Sequence, residues 1–276
     1  MSVMLGGKQV EVIDAHVHTF PDQIAPGAVG KLEKISGITP STDGTVSRTL
    51  QKMEECGVDR ALFLNIATSP KQQNTINNCA AKLNGELGGR VQAFGSVHFL
   101  AEDALSELER IRALGIRGIK LHPDYQGFLI DDERLFPIYD ACAELGLPIV
   151  FHSGWDCYSP ELIHAPPQAS RRVIDQFPKL KVVLAHFGGL KCWNEVEEYL
   201  VGRNVWFDTA MCDTYAGREQ IERMILRHGP EKVFLGSDCP WENPARSIEF
   251  ILSMNLSDEQ KEGILSGNIK AFLNWE

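Results

Sequence analysis

Short apolar runs alternate with longer amphipathic stretches along most of the chain. Runs such as Ile149-Val150-Phe151 and Val182-Val183-Leu184-Ala185 are apolar throughout, as expected for parallel strands that are covered on both faces. The longer stretches place apolar residues three or four positions apart, which indicates amphipathic helices. Five predicted helix-to-strand turns carry a glycine, at positions 57, 115, 146, 202 and 229. The pattern therefore predicts repeated strand–helix units.

Eight strands follow from this pattern, over about 10–18, 59–67, 91–99, 116–122, 147–152, 181–186, 204–210 and 232–238. At least eight helices alternate with them. Strict alternation implies parallel strands joined by right-handed crossovers. A single-domain α/β fold over 1–276, the (β/α)8 TIM barrel, fits best. The alternative, an open doubly wound sheet, would carry a glycine-rich phosphate turn after the first strand, where Thr19-Phe20-Pro21 stands instead.

The segment from Thr19 to about Thr45 departs from the regular alternation. It is polar and contains several prolines and glycines, so it is expected to be a long irregular loop. Loops of this length are uncommon inside compact domains and are usually functional lids or partly disordered. We expect this segment to cover the mouth of the barrel.

Composition excludes several classes of function. The chain has 276 residues, a formal net charge of −10 and no clustered run of lysine and arginine, so nucleic acid is not an expected partner. No apolar stretch approaches the ~20 residues of a membrane span, and the N-terminus lacks the apolar run of a signal peptide. The seven cysteines are scattered without a Cys-x-x-Cys motif, which predicts a reducing, cytoplasmic setting.

Histidine and aspartate collect at the predicted carboxyl ends of the strands. Side chains alternate faces along a strand, so His16 and His18 share one face with Asp14. Six of the eight histidines lie at strand ends: His16, His18, His98, His122, His152 and His186. Asp238 ends the last strand and Asp208 lies near the end of the seventh. Barrel enzymes carry their catalytic residues at these ends.

Histidine and carboxylate ligands without cysteine suit a divalent ion of intermediate hardness. Zinc is the first candidate, and manganese, cobalt and iron are alternatives. Three or four protein ligands and one water make a catalytic site, in which the ion lowers the pKa of the water and polarises a substrate oxygen. We expect Asp208 to orient a ligand imidazole rather than to bind the ion.

Five motifs together resemble the amidohydrolase superfamily, in particular the branch that includes aminocarboxymuconate-semialdehyde decarboxylase, resorcylate decarboxylase and several small-acid hydrolases. In order along the chain they are Asp14-Ala15-His16-Val17-His18, Gly118-Ile119-Lys120-Leu121-His122-Pro123, Phe151-His152, Leu184-Ala185-His186-Phe187-Gly188-Gly189 and Gly236-Ser237-Asp238-Cys239-Pro240-Trp241. The resemblance implies four metal ligands, namely His16, His18, His152 and Asp238. It also implies that His186 acts as base or acid beside the reacting water, with Asp238 as a second holder of the water's proton.

Lys120 leaves the number of ions open. Binuclear members of the superfamily bridge two ions with a carboxylated lysine on strand four, and Lys120 lies on that strand on the same face as His122. We prefer one ion, with Lys120 binding substrate charge and with His122 and Trp155 lining the pocket. His98 has no counterpart in the resemblance, so its role stays open.

These residues predict a metal-dependent hydrolase that acts on a small anionic organic molecule. Non-oxidative decarboxylation or hydration is the alternative and would use the same residues. A non-catalytic metal-binding barrel is a third hypothesis, which the complete set of ligand positions disfavours. The expected partner is a small molecule, without nucleic acid or membrane, and assembly as a homodimer is left open.

Overall fold

The computed structural model describes residues 2–276. By its internal contacts the chain divides into two compact units. Unit 1 consists of the chain up to Phe63 together with Asp208–Glu276, and unit 2 is Leu64–Phe207.

The first part of unit 1 begins with an antiparallel hairpin and continues into alternating strands and helices. Its elements are β1 (Val3–Leu5), β2 (Lys8–Val10), β3 (Ile13–Val17), α1 (Ala25–Ser36), α2 (Val46–Cys56) and β4 (Arg60–Leu64). The hairpin turns at Gly6 and Gly7, both with positive φ, a conformation that glycine adopts without steric cost. β3 and β4 pair in parallel, with a register shift between Asp14 and Val17.

Unit 2 alternates strands and helices throughout. Its elements are α3 (Gln73–Leu87), β5 (Val91–Phe94), α4 (Ala104–Ala113), β6 (Ile119–Leu121), α5 (Pro123–Gln126), α6 (Phe136–Leu145), β7 (Ile149–Phe151), α7 (Pro167–Gln176), β8 (Val182–Leu184), α8 (Trp193–Tyr199) and β9 (Trp206–Asp208). The central strands form a parallel ladder in which Ile149 lies opposite Ile119 on one side and Val182 on the other. The ladder continues from β8 to β9, so all the carboxyl ends in this ladder point the same way.

The chain returns to unit 1 for its last third. The elements there are α9 (Cys212–Tyr215), α10 (Arg218–His228), β10 (Val233–Phe234), α11 (Pro244–Leu252), α12 (Asp258–Glu262), a π-helical turn (Gly263–Gly267) and α13 (Asn268–Leu273). The segment after β10 runs beside β3, because Ala15 N donates to Leu235 O at 2.8 Å and Asp238 N donates to His16 O at 2.8 Å. His16 on β3, His18 directly after it and Asp238 are therefore neighbours along a backbone ladder.

The local signals in the sequence are largely confirmed. All five turn glycines have positive φ, and Gly57 and Gly146 end α2 and α6 in the left-handed conformation that is common at helix C-termini. Ser257 and Gln260 form a complete capping box at the start of α12. The strands are shorter than predicted, as in β10, because the residues that follow leave the ladder to form the strand-end loops.

The segment from Thr19 to Thr45 is not irregular throughout, which corrects the expectation of a loop. It contains the helix α1, with Pro26 in the first turn and Gly37 (φ 71°) as its C-cap. Proline fits the first turn because it needs no backbone donor there, and burial of Ala25 and Val29 holds one face of the helix. The segment is closed at its base, where Phe20 N donates to Gly44 O at 2.9 Å. Its covering of a barrel mouth stays a prediction.

The strands of both units contribute apolar residues to the buried core. In unit 1, Ile13 and Val17 are fully buried, and in unit 2 Ile119, Ile149, Phe151 and Leu184 are at most 1% exposed. Because these strands are covered on both faces, the polar residues of each unit collect where the strands end. Within the described residues, no helix combines the length and the apolar character needed to cross a bilayer.

Candidate metal and active site

Three predicted ligands meet in unit 1. The distance from His16 Nε2 to His18 Nε2 is 3.1 Å, and Asp238 Oδ1 lies 3.3 Å from His16 Nε2 and 3.2 Å from His18 Nε2. Ligand atoms that share one ion at about 2.1 Å lie about 3.0 to 3.4 Å apart at octahedral to tetrahedral angles. The three atoms therefore fit a single divalent ion.

The strand β3 and the segment after β10 position this group. His16 and His18 point to one side of β3, with ring centroids 5.0 Å apart and an angle of 74° between the rings. His18 N donates to Cys239 O at 2.7 Å, which keeps the histidine strand beside Asp238. Asp238 has a φ of 72°, in the left-handed region that aspartate tolerates better than most residues.

Asp208 makes the contact expected of it. Its Oδ2 lies 2.8 Å from His16 Nδ1, and both side chains are 1% exposed. A proton on Nδ1 that points at this carboxylate leaves the lone pair of Nε2 available for an ion. The other carboxylate oxygen, Oδ1, accepts from Ala210 N at 3.1 Å. Asp208 is thus fixed on both sides while it fixes His16.

Asp14 holds the strand rather than joining the ligand group. Its carboxylate accepts from Ser237 Oγ at 2.5 Å, from Ser237 N at 2.9 Å and from His16 N at 3.1 Å. Burial raises the pKa of Asp14 to about 7, against the lowering effect of these hydrogen bonds. Alternation along β3 had placed Asp14 beside the two histidines, but the register shift after Asp14 and the bonds to Ser237 give it a structural role.

A second group of ionisable residues lies in unit 2, around His152. His152 Nε2 is 3.4 Å from Asp156 Oδ2, and His122 Nε2 is 3.7 Å from the same oxygen. The rings of His122 and His152 stack with centroids 4.3 Å apart and 9° between their planes. The other nitrogen of His152, Nδ1, is 3.0 Å from His186 Nε2. The structure thus brings together three of the predicted site histidines.

Two aspartates in unit 2 were missed by the sequence reasoning. Besides Asp156, the buried Asp124 lies near His122 and His152, with its Oδ2 at 3.8 Å and 3.9 Å from their nitrogens. Its Oδ1 is 3.0 Å from His164 Nδ1. Burial raises the pKa of Asp124. The available signal was spacing, since each aspartate follows a strand-end histidine within four residues.

The other predicted site residues of unit 2 have different surroundings from the histidine group. Lys120 is fully buried on β6, and Trp155 is half-buried with Lys191 Nζ 3.5 Å from its ring centroid. His98 stacks on Phe99 at 5.4 Å, its Nδ1 accepts from Leu100 N at 3.3 Å, and burial lowers its pKa. These contacts favour a structural role for His98.

The structure brings some of the predicted ligands together, and their ligand roles stay predictions. His16, His18 and Asp238 come together in unit 1, whereas His152 belongs to unit 2 with His186, the predicted proton-transfer residue. The place of His152 as a fourth ligand stays a prediction, as do the roles of Lys120, His122 and Trp155 in substrate binding.

The turn after β8 has an unusual backbone. His186 and Phe187 have φ of 57° and 52°, Gly188 has 80° and Lys191 has 60°. For residues other than glycine the left-handed conformation costs about 1–2 kcal/mol each, and such strain collects at functional sites. Phe187 is fully buried, with its ring centroid 4.9 Å from that of Phe207, so packing holds the strained turn in place.

Comparisons with known proteins agree with this picture. A curated relative from Dictyostelium discoideum, 2-amino-3-carboxymuconate-6-semialdehyde decarboxylase, is 27% identical over 240 residues. That match covers 72% of this chain but 65% of the relative, so the chain spans about two thirds of the relative's length.

Two solved structures share the fold. An uncharacterised TIM-barrel protein from Bordetella bronchiseptica has a TM-score of 0.75 and 17% identity, covering 96% of this chain and 99% of that one. The 5-carboxyvanillate decarboxylase of Novosphingobium aromaticivorans, complexed with manganese and 4-hydroxy-3-methoxy-5-nitrobenzoic acid, has a TM-score of 0.74 and 16% identity, covering 96% of both chains. The predicted α/β TIM-barrel fold is confirmed.

The family model described as amidohydrolase matches residues 13–275. The match begins at β3, just before His16 and His18, and runs past Asp238 to the end of the last helix, so it includes all five motifs that carry the resemblance. This chain therefore belongs to the amidohydrolase family and is an enzyme of that superfamily.

Proposed function

We propose that this enzyme is a metal-dependent, non-oxidative decarboxylase of a small unsaturated carboxylic acid, with aromatic acids as the first candidates. The observation that carries the metal dependence is the group of His16, His18 and Asp238, whose ligand atoms lie 3.1–3.3 Å apart. The reaction class is supported by two of the three similar proteins named above, which are decarboxylases. Decarboxylation is therefore preferred to hydrolysis, which was the first choice from the sequence.

A single divalent ion is proposed, held by His16, His18 and Asp238. A bound ion would polarise oxygen atoms of the substrate and hold the substrate in place. Histidine and carboxylate donors accept zinc or manganese, and the compared 5-carboxyvanillate decarboxylase contains manganese. Zinc and manganese are thus equal candidates for the native ion.

Decarboxylation exchanges a carboxylate for a proton. The bond to the carboxylate carbon breaks, carbon dioxide leaves, and the remaining carbon keeps the electron pair and takes up a proton. We assign delivery of this proton to His186, whose Nε2 is oriented by His152 Nδ1 at 3.0 Å. His186 is 2% exposed, so it can hold a proton away from bulk water until the carbon accepts it.

The reaction class is tested with a substrate panel. Metal-loaded protein is incubated with 5-carboxyvanillate and 2-amino-3-carboxymuconate 6-semialdehyde, and with lactones and amides as hydrolysis probes. We expect carbon dioxide and the matching decarboxylated product from one of the acids, and no product after treatment with a chelator. Turnover of the lactones or amides without carbon dioxide from any acid would contradict the proposal.

Variants separate ligands from proton-transfer residues. His16→Ala should lose both metal and turnover, and the sequence predicts the same for His152→Ala. His186→Ala should keep its metal and lose about 10²–10⁴-fold in rate, the usual contribution of a positioned proton donor. His98→Ala is the matched control, because it removes a buried histidine outside both groups. Equal loss of metal in His186→Ala would favour the two-ion alternative with carboxylated Lys120, in which Lys120→Ala would abolish the second ion.

A further inference from the structure

We propose that Lys191, held over the face of Trp155, binds an anionic group of the substrate other than the carboxylate that is lost, so that the preferred substrate carries two anionic groups. The proposal deepens the proposed function and rests on it. It concerns residues of unit 2 alone, where the pair lies next to the strand-end histidines.

The contact between the two side chains is close. Lys191 Nζ lies 3.5 Å from the centroid of the Trp155 ring, which is well inside the range of a cation–π interaction. Lys191 is exposed and Trp155 is half-buried, so the ring limits the rotamers of a lysine that lies at the surface. A cation that is already restricted in the free enzyme loses less conformational entropy when an anion binds.

The backbone places this pair at the site. Trp155 N donates to Leu190 O at 2.9 Å, and Leu190 N donates to Ser153 O at 2.9 Å. These bonds continue the ladder of β7 and β8 past the strand ends, where His152 and His186 lie. Trp155 follows His152 by three positions and Lys191 follows His186 by five. The lysine and the ring thus lie on the two paired segments that follow His152 and His186.

Two special conformations make the close approach possible. Gly154 has a φ of 88°, and a Cβ there would lie 2.1 Å from Leu190 N, so only glycine lets the two backbones meet. Lys191 itself has a φ of 60°, a conformation that a lysine adopts at a steric cost. The surrounding structure therefore holds Lys191 in a strained position, as is found at binding sites.

Charge favours an anion as the occupant. Lys191 is the only lysine or arginine within residues 152–165 and 186–193, which also contain Asp156 and Glu161. The chain as a whole has a net charge of −10. An anionic substrate near these strand ends is therefore repelled by nearby carboxylates, and within these two segments Lys191 is the counter-charge.

The identity of the anionic group follows from the reaction. A cation paired with the departing carboxylate would stabilise the ground state, because that charge disappears as carbon dioxide forms. An interaction that is weaker in the transition state than in the ground state slows the chemical step, whereas one that is equally strong in both states strengthens substrate binding without slowing it. A productive lysine must therefore bind a second anionic group, a carboxylate or phenolate, that keeps its charge throughout.

The test uses manganese-loaded full-length protein and two probes, isophthalate with two carboxylates and benzoate with one. Binding is measured by calorimetry for the wild type, Lys191→Met, Lys191→Arg and Trp155→Leu. We expect the wild type to prefer isophthalate, and Lys191→Met to lose about tenfold in isophthalate affinity with little change for benzoate. Lys191→Arg should recover most of the loss, and Trp155→Leu should show part of it. Lys179→Met, a lysine before the amino end of β8, is the control for net charge.

Three outcomes would overturn the proposal. They are equal loss for both probes in Lys191→Met, no loss for either, and no binding of isophthalate by the wild type. Metal content, measured on each variant, should match that of the wild type. Carbon dioxide release from the turned-over acid of the substrate panel is measured as well. If Lys191→Met leaves this release unchanged, the decarboxylase function stands and the role of Lys191 is removed. If Lys191 is needed to prefer isophthalate over benzoate but no acid releases carbon dioxide, the role of Lys191 stands and the decarboxylase function is removed.

Discussion

Replacing Asp208 by asparagine should weaken metal binding although the two side chains have the same shape. In the wild type, Oδ1 accepts from Ala210 N at 3.1 Å and Oδ2 lies 2.8 Å from His16 Nδ1. An asparagine has one acceptor and one donor in place of two acceptors. If its oxygen faces Ala210 N, its amide donates to His16 Nδ1, and the imidazole proton moves to Nε2, the ligand atom. If its oxygen faces His16, its amide meets the N–H of Ala210.

Both orientations carry a cost that can be estimated. The first orientation blocks the ligand lone pair, and the second leaves a buried backbone donor without its acceptor, at about 1–3 kcal/mol. Both Asp208 and His16 are 1% exposed in their side chains, so water cannot replace the lost partner. Removal of the group that orients a ligand histidine typically costs about 10–100-fold in metal affinity. We expect Asp208→Asn to fall in that range.

The assay is competition with a chromogenic chelator for zinc and for manganese, on wild type and variant. Glu107→Gln is the matched control, because Glu107 is also a buried carboxylate, paired with Arg110 at 2.7 Å in unit 2. The control should lose stability without a change in metal affinity. Unfolding by urea is measured on both variants to separate loss of fold from loss of ligand geometry.

Two results would refute the reasoning. Asp208→Asn with wild-type affinity for both ions would mean that the carboxylate does not set the tautomer of His16. A loss of affinity of the same size in Glu107→Gln would mean that the effect follows general destabilisation and not the orientation of the ligand.

Three further predictions concern stability and the segment from Thr19 to Thr45. Burial, with the nearby Glu242, raises the pKa of Asp213 to about 6, above its ordinary value of about 4. As the pH rises from about 4 to 6, the free energy of unfolding of the wild type should therefore fall relative to that of Asp213→Asn. A difference between the two proteins that stays constant across this range in urea unfolding would contradict this. Replacing α1 by a short glycine–serine linker should raise KM more than it lowers metal content, and unchanged kinetics would make the segment a mere connection. Thr45→Ala should cost about 1 kcal/mol in thermal or urea unfolding, because the Thr45 side chain caps α2 by accepting from Arg48 N.

The features that the sequence predicted well are those set by local periodicity. Alternation along β3 was enough to place His16 and His18 on one side, and the predicted turn glycine Gly57 ends α2. The contact between Asp208 and His16 was also foreseen, because a ligand imidazole needs an acceptor at its second nitrogen.

The features that were missed depend on contacts between distant positions or on irregular backbone. The helix α1 contains two glycines and a proline, and its stability comes from tertiary burial, which overrides weak intrinsic propensity. Asp156 lies in an irregular loop after β7, where no periodicity indicates the direction of a side chain. The register shift in β3 is invisible to an alternation rule, and for that reason Asp14 was grouped with the wrong partners.

The backbone and packing of the turn after β8 limit the residue types that position 187 tolerates. A left-handed backbone favours glycine there, and the buried contact with Phe207 favours a large ring. Glycine would relieve about 1–2 kcal/mol of backbone strain but would leave a cavity that costs about 3–5 kcal/mol. Selection for folding alone would therefore retain a bulky unbranched side chain. β-Branched residues fit the left-handed conformation worst, so a library randomised at this codon should be depleted of valine, isoleucine and threonine even where their hydrophobicity is adequate.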